Sequence, residues 1–476
     1  MSNQLYMYDV RGIQDYIFRT NKIKEIIGAS AIVENLIIHL FKDTCNELCL
    51  HVQTELESEK LQFSFNENTG FDAEILYYGG GNLLVLFKSR EQGDLVSKKM
   101  RIALIKKTYS LQLAVARVNV HGQDTFKQDY IELRKEIDRV KSQMPICQPM
   151  FSFPITSNDP TTGFPFSKIY NGKKVTYETY YKLKSFESSK IKGKKYEKFG
   201  KHENDSLIAI VHIDGNNMGN YIYEKTKDVK TYQDAAKVYR KKSQHIQTVF
   251  IDIALKTVEN QIPELCKKHD ISDNNVQFRK IIHAGDDITF ICHAKLALDC
   301  VKIFMNILEK NKNFTACAGI YVTHAHFPFS RGYELAEELC SNAKKISREV
   351  KGNYVDFHIN TSGILNDIAY IRKIHYVNFQ NQSLYARPYA IGKNENNNIT
   401  KLINILSQLK SSFIARNQLK NLREAFYQGE VVINEELLRI NSRLDDDKKL
   451  YYHDKEYKIL FDAVEILDLE WGDSNE

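Results

Sequence analysis

Three aspartates carry the chemistry this sequence offers. Asp286 and Asp287 are adjacent, in the middle of the apolar run IIHAGDDITFIC (281–292), and Asp214 closes another, SLIAIVHID (206–214). Neighbouring carboxylates repel, and taking them out of water is costly unless cations offset the charge. An isolated GDD also reads as a polar hairpin turn. Asp214 at a matching strand end shifts the reading to a metal site, because neighbouring strands lie about 4.8 Å apart and three carboxylates can converge there. All-oxygen donors suit Mg²⁺ or Mn²⁺. Two such ions about 3.5–4 Å apart would activate a ribose hydroxyl and stabilise a leaving pyrophosphate.

The neighbours fit a nucleotide. Gly285 leaves room beside the first aspartate of the pair, and Gly215 lets backbone approach a phosphate. Asn216 and Asn217 offer amides for ribose, base or phosphate. Lys344 or Lys345, on a helix after the last strand of the unit, would reach a triphosphate as a point charge. A lysine on a late helix is equally a solvated surface residue.

The elements that must position these residues recur twice. LYMYDV (5–10), a helical stretch at 22–41, FDAEILYYGGGNLLVLF (71–87), a further helix and LQLAVARV (111–118) form one set. SLIAIVHID (206–214), a helical stretch at 232–258, FRKIIHAGDDITFICH (278–293), a helix near 295–309 and FTACAGIYVTH (314–324) form the other. The order β-α-β-β-α-β predicts an α+β fold of two ferredoxin-like palm domains, antiparallel sheets with helices on one face, related by internal duplication. A helix at 331–350 and a strand at 354–360 follow, and from 398 the pattern is helical. We therefore expect a first palm at 1–144, a lysine-rich linker or insert at 145–205, a second palm at 206–397 and a C-terminal helical domain at 398–476. In the first copy Asp9 matches Asp214, but the tip is Gly79–Gly80–Gly81–Asn82, without an acid pair. One carboxylate will not hold two ions, so this copy is expected to be non-catalytic. Its tip is either a second nucleotide site or a glycine-rich turn that packs.

The chain has 476 residues, 43% hydrophobic and 26% charged, with a net charge of +6. That composition belongs to soluble globular proteins of several domains. No apolar run reaches eighteen residues, the N-terminus lacks the layout of a secretory signal, and the eight cysteines form no CxxC pair. A cytoplasmic protein with reduced thiols, no zinc and no membrane partner is expected. The stretch 173–201 holds ten lysines against three glutamates. It reads as a solvated linker first, and otherwise as a phosphate-attracting arm in which Tyr177, Tyr180 and Tyr181 stack on bases. His324 and His326 alternate on a strand with no third ligand evident, and are read as structural.

Together DVRGIQDYIF (9–18), IIGASAIVENL (26–36), YYGGGNLLVLF (77–87), IVHIDGNNMG (210–219), HAGDDITFI (283–291), YELAEEL (333–339) and LYARPY (384–389) resemble the large polymerase/cyclase subunit of type III CRISPR effector complexes. The second copy is more distantly similar to GGDEF-type nucleotide cyclases. The resemblance runs to about residue 390 and more loosely into the tail. It implies two palms packed face to face, ATP joined into cyclic oligoadenylate second messengers for antiviral defence, and Asp214, Asp286 and Asp287 as metal ligands. Gly285 and the Gly79–Asn82 loop would line nucleotide sites on either side of the palm–palm interface.

Three departures qualify the resemblance. Ala284 stands where the family has the first glycine of GGDD, and one methyl narrows the pocket without removing a ligand. The chain starts at the first palm, without the family's frequent HD nuclease domain; His269–Asp270 and His453–Asp454 lack an HD-nuclease setting. The inter-palm cysteine cluster is reduced to Cys147, so no zinc knuckle is expected. These losses point to a standalone cyclase without guide RNA.

The expected function is thus a metal-dependent nucleotidyltransferase making a cyclic nucleotide or oligonucleotide from ATP or other NTPs. Its alternative is a catalytically silent RNA- or nucleotide-binding scaffold or sensor of a defence complex, with RNA and an effector complex as partners. The sequence leaves product ring size, activating signal and any oligomer open.

Overall fold

The computed structural model describes residues 3–54, 60–65, 70–79, 81–145, 155–188, 207–218, 220–221, 224, 228–271, 277–311, 314–325, 327–360, 366–392, 397–452, 456–469 and 471. Gly80, Cys147, His326, the pair His453–Asp454 and the lysine-rich tail 189–201 lie outside them. The chain divides into two compact units, Met1–Gly193 with Asn217–Thr248, and Lys194–Asn216 with Val249–Glu476.

The first unit is built on strands β1 (Gln4–Arg11), β2 (Val52–Gln53), β3 (Ala73–Gly79), β4 (Asn82–Phe87) and β5 (Gln112–Asn119), in the spatial order β2-β3-β4-β1-β5. Leaving aside the short parallel edge strand β2, this is the four-stranded antiparallel order of a ferredoxin-like sheet. β1 is buried on both faces, which is why QLYMYDVR reads as nearly continuous apolar sequence. Tyr6 and Tyr8 face the helix Arg90–Thr108, bonding to Asp94 and Ser97. Leu5 and Met7, pointing the other way, join Phe126, Leu133 and Ile137 of the helix Phe126–Gln143 in one core. Helices thus cover both faces of this sheet, which the element order alone did not predict.

The helix Tyr232–Ile246, expected in the second palm from its place in the chain, belongs to the first unit. Tyr232, Ala235, Ala236 and Tyr239 complete that unit's core. Tyr232 Oη donates to Asp129 Oδ2 at 2.8 Å. Arg240 Nη2 donates to Glu74 Oε1 at 2.8 Å and to the Ile75 carbonyl at 2.6 Å. Its amphipathic pattern fixed a buried face but not which sheet would bury it.

Part of the lysine-rich stretch is also packed. β6 (Lys168–Tyr170) and β7 (Lys173–Val175) form a hairpin, followed by the helix Tyr177–Ser188. That helix lies so close to Gly28 that a β-carbon there would stand 1.8 Å from the Lys182 carbonyl oxygen. Lys182 is itself buried, donating to the Tyr16 carbonyl and to Glu178 Oε1, both at 2.6 Å. In this portion the structure favours neither a linker nor a phosphate-binding arm.

The second unit holds β8 (Leu207–Gly215), β9 (Phe278–Ala284), β10 (Asp287–His293), β11 (Ala316–His324), β12 (Asn353–Ile359) and β13 (Tyr389–Ile391), ordered β13-β12-β11-β8-β10-β9. Its core β11-β8-β10-β9 repeats the order β5-β1-β4-β3, and β12 extends it in parallel with β11. The helical tail belongs to this unit too. Arg387 of the LYARPY motif is buried among the rings of Phe357, Tyr376 and Tyr385 and pairs with Asp462 at 3.2 Å and with Glu465, both on the helix Tyr457–Ile466. Trp471, also buried, donates to the Ala294 carbonyl at 2.8 Å. These contacts clasp the tail to the second sheet.

Candidate active site

β8 runs antiparallel to β10 in a register that sets Asp214 directly opposite Asp287. Residues directly opposite each other on neighbouring antiparallel strands share a sheet face, so the two carboxylates meet there. β9 and β10 are joined by the two-residue tip Gly285–Asp286, since Ala284 pairs with Asp287. Gly285 has φ +68°, and a β-carbon there would touch nothing within 4 Å. The glycine is thus required by the left-handed backbone of the tight turn, and not to make room as its sequence position suggested. The Gly215 N–H reaches back to the Asp286 carbonyl at 3.3 Å, tying the end of β8 to the tip.

The electrostatics follow from the crowding. Burial, the charge of Asp214 and a hydrogen bond shared with its side chain push the Asp286 carboxyl up to about 6, against the pull of Lys344 and a local backbone bond. Burial, then Asp214, Asp286 and Glu337, push Asp287 up to about 7. Asp287 Oδ1 is buried with no hydrogen-bond partner. One cation is already supplied by the chain: Lys344 Nζ pairs with Asp214 Oδ2. Burial works against the charge on Lys344, but Asp214 outweighs it and raises the ammonium pKa.

The other candidates separate clearly. Lys345, one residue on, is exposed and bonds to Asn342 of its own helix at 3.1 Å. The Asn216 amide donates to Thr315 Oγ1 and Ser347 Oγ, each at 3.0 Å, and to the Gly352 carbonyl at 3.1 Å, so its N–H groups brace the unit internally. Asn217 is exposed, has φ +59° and is the first residue past the unit boundary. His324 ends β11 and is exposed. His269 is buried against Asp299 at 2.8 Å.

The helix Phe329–Glu349 brings in residues the sequence reading passed over. It lies on the β8 face that carries Ile210, His212 and Asp214: a β-carbon on Gly332 would stand 2.3 Å from Ile210 Cδ1, and Tyr333 packs edge-on against His212 with centroids 5.6 Å apart. Glu337 is exposed as a residue, but partial burial of its carboxyl and the charge of Asp214 raise its pKa. It stands two turns before Lys344, a spacing that places both on one helix face and would have revealed it. His212 is buried, which lowers its pKa to about 4 and leaves it a neutral imidazole.

In the first unit Asp9 faces Asn82 across β1 and β4, the position held by Asp287 in the second. Gly79 pairs with Asn82, and Gly81, with φ +81°, occupies the position of Asp286. A β-carbon on Gly81 would meet Ile13 Cδ1 at 2.8 Å. Asp9 is paired with Lys141.

The donor set of the second unit fits a hard divalent cation: three carboxylates, two of them with pKa values raised by burial and by neighbouring acids, and a buried oxygen without a partner. Among the described residues, no three His, Cys, Asp or Glu side chains stand as a formed metal cage. Lys344 and the hydrogen bond between Asp286 and Asp214 occupy that position instead.

Residues 207–351 match the family model for the second palm domain of Cas10/Cmr2. No curated protein matches the chain in sequence. Among solved structures, Csm1 from T. onnurineus is similar at 12% identity, covering 98% of this chain and 69% of that one with a TM-score of 0.54. A Csm1–Csm4 cassette in complex with cA4 is similar at 13% identity, covering 98% and 70% with a TM-score of 0.53. The cassette in complex with one ATP gives 13%, 99% and 70%, and 0.53. The chain is therefore Cas10-like in its second palm and has the two-palm fold of Csm1 with a helical region.

Proposed function

We propose that the second unit joins ATP, or related NTPs, into a cyclic nucleotide or oligonucleotide second messenger in a type III CRISPR-like defence system. The observation that carries this reading is the register setting Asp214 against Asp287, with Asp286 at the adjoining tip and Lys344 beside them. The matched structures include cassettes described with cA4 and with one ATP, which supports the choice of substrate and product class.

Asp214, Asp286 and Asp287 would hold Mg²⁺ or Mn²⁺. When bound, the ions supply a Lewis acid for the α-phosphate and lower the pKa of the attacking ribose hydroxyl. The chain's own part is electrostatic. Lys344 neutralises Asp214 while no ion is bound, and its ammonium is within reach of the same spot to meet a triphosphate. Gly285 turns the tip so that Asp286 stands beside Asp214. Asn216 fixes the end of β8 against β11 and so holds Asp214 in place. A second effector subunit is a proposed partner, by analogy with the Csm1–Csm4 cassettes. No described helix is long and apolar enough to cross a membrane.

The test is incubation of the chain, alone and with effector subunits, with labelled ATP and Mg²⁺, followed by mass spectrometry. Wild type should form a cyclic product that Asp286→Ala/Asp287→Ala does not. Identical product profiles would sink the enzyme reading.

A second reading draws on the Lys344–Asp214 pair and the unformed cage: a silent scaffold or sensor that binds RNA or nucleotide without turnover. Co-purifying RNA with no nucleotide product under any condition would favour it.

A further inference from the structure

His212 lies two residues before Asp214 on β8, on the same face, and pairs in register with Thr289 of β10, two residues after Asp287. Its Nδ1 stands 3.0 Å from Thr289 Oγ1. The same nitrogen is 3.6 Å from Asp287 Oδ1, the buried oxygen with no hydrogen-bond partner. At 3.6 Å no bond is made, yet a small turn of the carboxylate closes the gap.

We propose that His212 and Thr289 are positioning residues. The imidazole Nδ1–H is shared between two acceptors, Thr289 Oγ1 and Asp287 Oδ1, and the threonine contact aims it so that it holds the Asp287 carboxylate in the orientation that receives a divalent cation. This rests on the reading that the three aspartates bind metal. Carboxylate ligands are commonly fixed by such outer partners, whose loss weakens metal binding.

The first unit supplies an internal control. Its equivalent rung, two residues before Asp9 and two after Asn82, is Met7 opposite Leu84, both buried. Where the tip has no acid pair, the rung beneath it is apolar. Burying an imidazole and a hydroxyl costs more than burying a methionine and a leucine. A polar rung placed only under the acids therefore points to a role toward them. Its fixed surroundings agree: His212 is hemmed in by Tyr333, and Thr289 is fully buried.

The experiment measures Mn²⁺ binding to the full chain by electron paramagnetic resonance, without nucleotide, with thermal melting as the folding control. Wild type should bind Mn²⁺, and Asp286→Asn/Asp287→Asn should not. His212→Phe should weaken binding by roughly ten- to a hundredfold, and His212→Asn, which keeps an N–H donor, by less. Thr289→Val should weaken it while Thr289→Ser stays near wild type, a contrast that decides the matter even if His212→Phe does not fold. Folded His212→Phe binding like wild type, or Thr289→Val binding like Thr289→Ser, overturns the positioning role and leaves the metal reading standing. No Mn²⁺ binding by wild type, or binding that survives loss of both acids, removes the metal reading and this inference with it.

Discussion

The two palms share a scaffold down to its irregularities and differ where chemistry would happen. In both, the strand before the tip carries a one-residue bulge three positions from its end, at Leu76 and at Ile281. In both, an aspartate at the end of the first strand pairs with a lysine, Asp9 with Lys141 and Asp214 with Lys344. Each lysine stands fifteen residues beyond the phenylalanine that starts its helix, Phe126 or Phe329, and each helix has a tyrosine four residues in, Tyr130 or Tyr333. Against that constancy, Asp286 and Asp287 answer to Gly81 and Asn82, His212 and Thr289 to Met7 and Leu84, and Glu337 to Arg134. A palm fold places one acid and one lysine. The second and third acids, and what surrounds them, make the difference between a cluster of carboxylates and a lone ion pair.

This contrast can be broken at several points. The largest effect expected is from Asp286→Ala/Asp287→Ala, which should reduce nucleotide product by more than about 10³-fold, whereas Asp9→Asn should leave most turnover. Radiolabelled product formation checks both, and equal losses would mean that the two copies share the chemistry.

Next is Lys344→Met. Losing the cation beside Asp214 should lower kcat/KM for ATP by roughly 10- to 100-fold, with a smaller change for Lys141→Met. Steady-state kinetics at saturating Mg²⁺ decides, and a Lys344→Met enzyme with wild-type kcat/KM would leave the lysine a purely structural role.

Helix-to-sheet spacing offers a stability test. A β-carbon on Gly319 would fall 2.0 Å from the Ala336 carbonyl oxygen, while the first copy already has Ala116 at the matching register position. Gly319→Ala should cost about 1–3 kcal/mol in urea unfolding through overpacking. Ala116→Gly should cost about 1 kcal/mol through chain entropy. Comparable losses would mean that the helix packs alike in both units.

The smallest expected effect is on pH dependence. Asp286 and Asp287 titrate near 6 and 7, raised above their unfolded values by burial and by neighbouring acids. Their contribution to stability is therefore complete below about pH 4 and is lost as pH rises through 6–7. Ion-free wild type should melt a few degrees lower at pH 8 than at pH 5, and Asp286→Asn/Asp287→Asn should flatten that slope. Mg²⁺ should raise the wild-type melting temperature more at pH 8 than at pH 5, because carboxylates bind metal deprotonated. A pH-independent shift would argue that the ion binds elsewhere.

Much of this was legible in the chain, for a physical reason. Apolar runs bounded by Asp9, Asp214 and Asp287 became strands that carry the acids at or near one end, because burial of alternating side chains leaves a strand little freedom in register. A two-residue tip between two such runs brings its flanks into pairing whatever the rest of the protein does. Other features depended on which surface meets which. Adjacent lysines diverge around a helix axis, so only the packing of the helix Phe329–Glu349 on β8 selects Lys344 over Lys345. Asn216 is polar and near the acids, yet its amide braces the turn. Lys182 lies in a lysine-rich stretch that looks solvated, yet it is buried against Glu178.

The sequence alone determined the core strands of both sheets, the tips and the place of each acid near a strand end, since these follow from local periodicity and turn chemistry, but not the short strands β2, β6, β7 and β13. Tertiary structure alone decided which sheet buries the helix Tyr232–Ile246, which lysine meets Asp214, and that Glu337 and His212 belong beside the acids. An amphipathic pattern states that a face will be buried, but only the competition among all available surfaces settles what it is buried against.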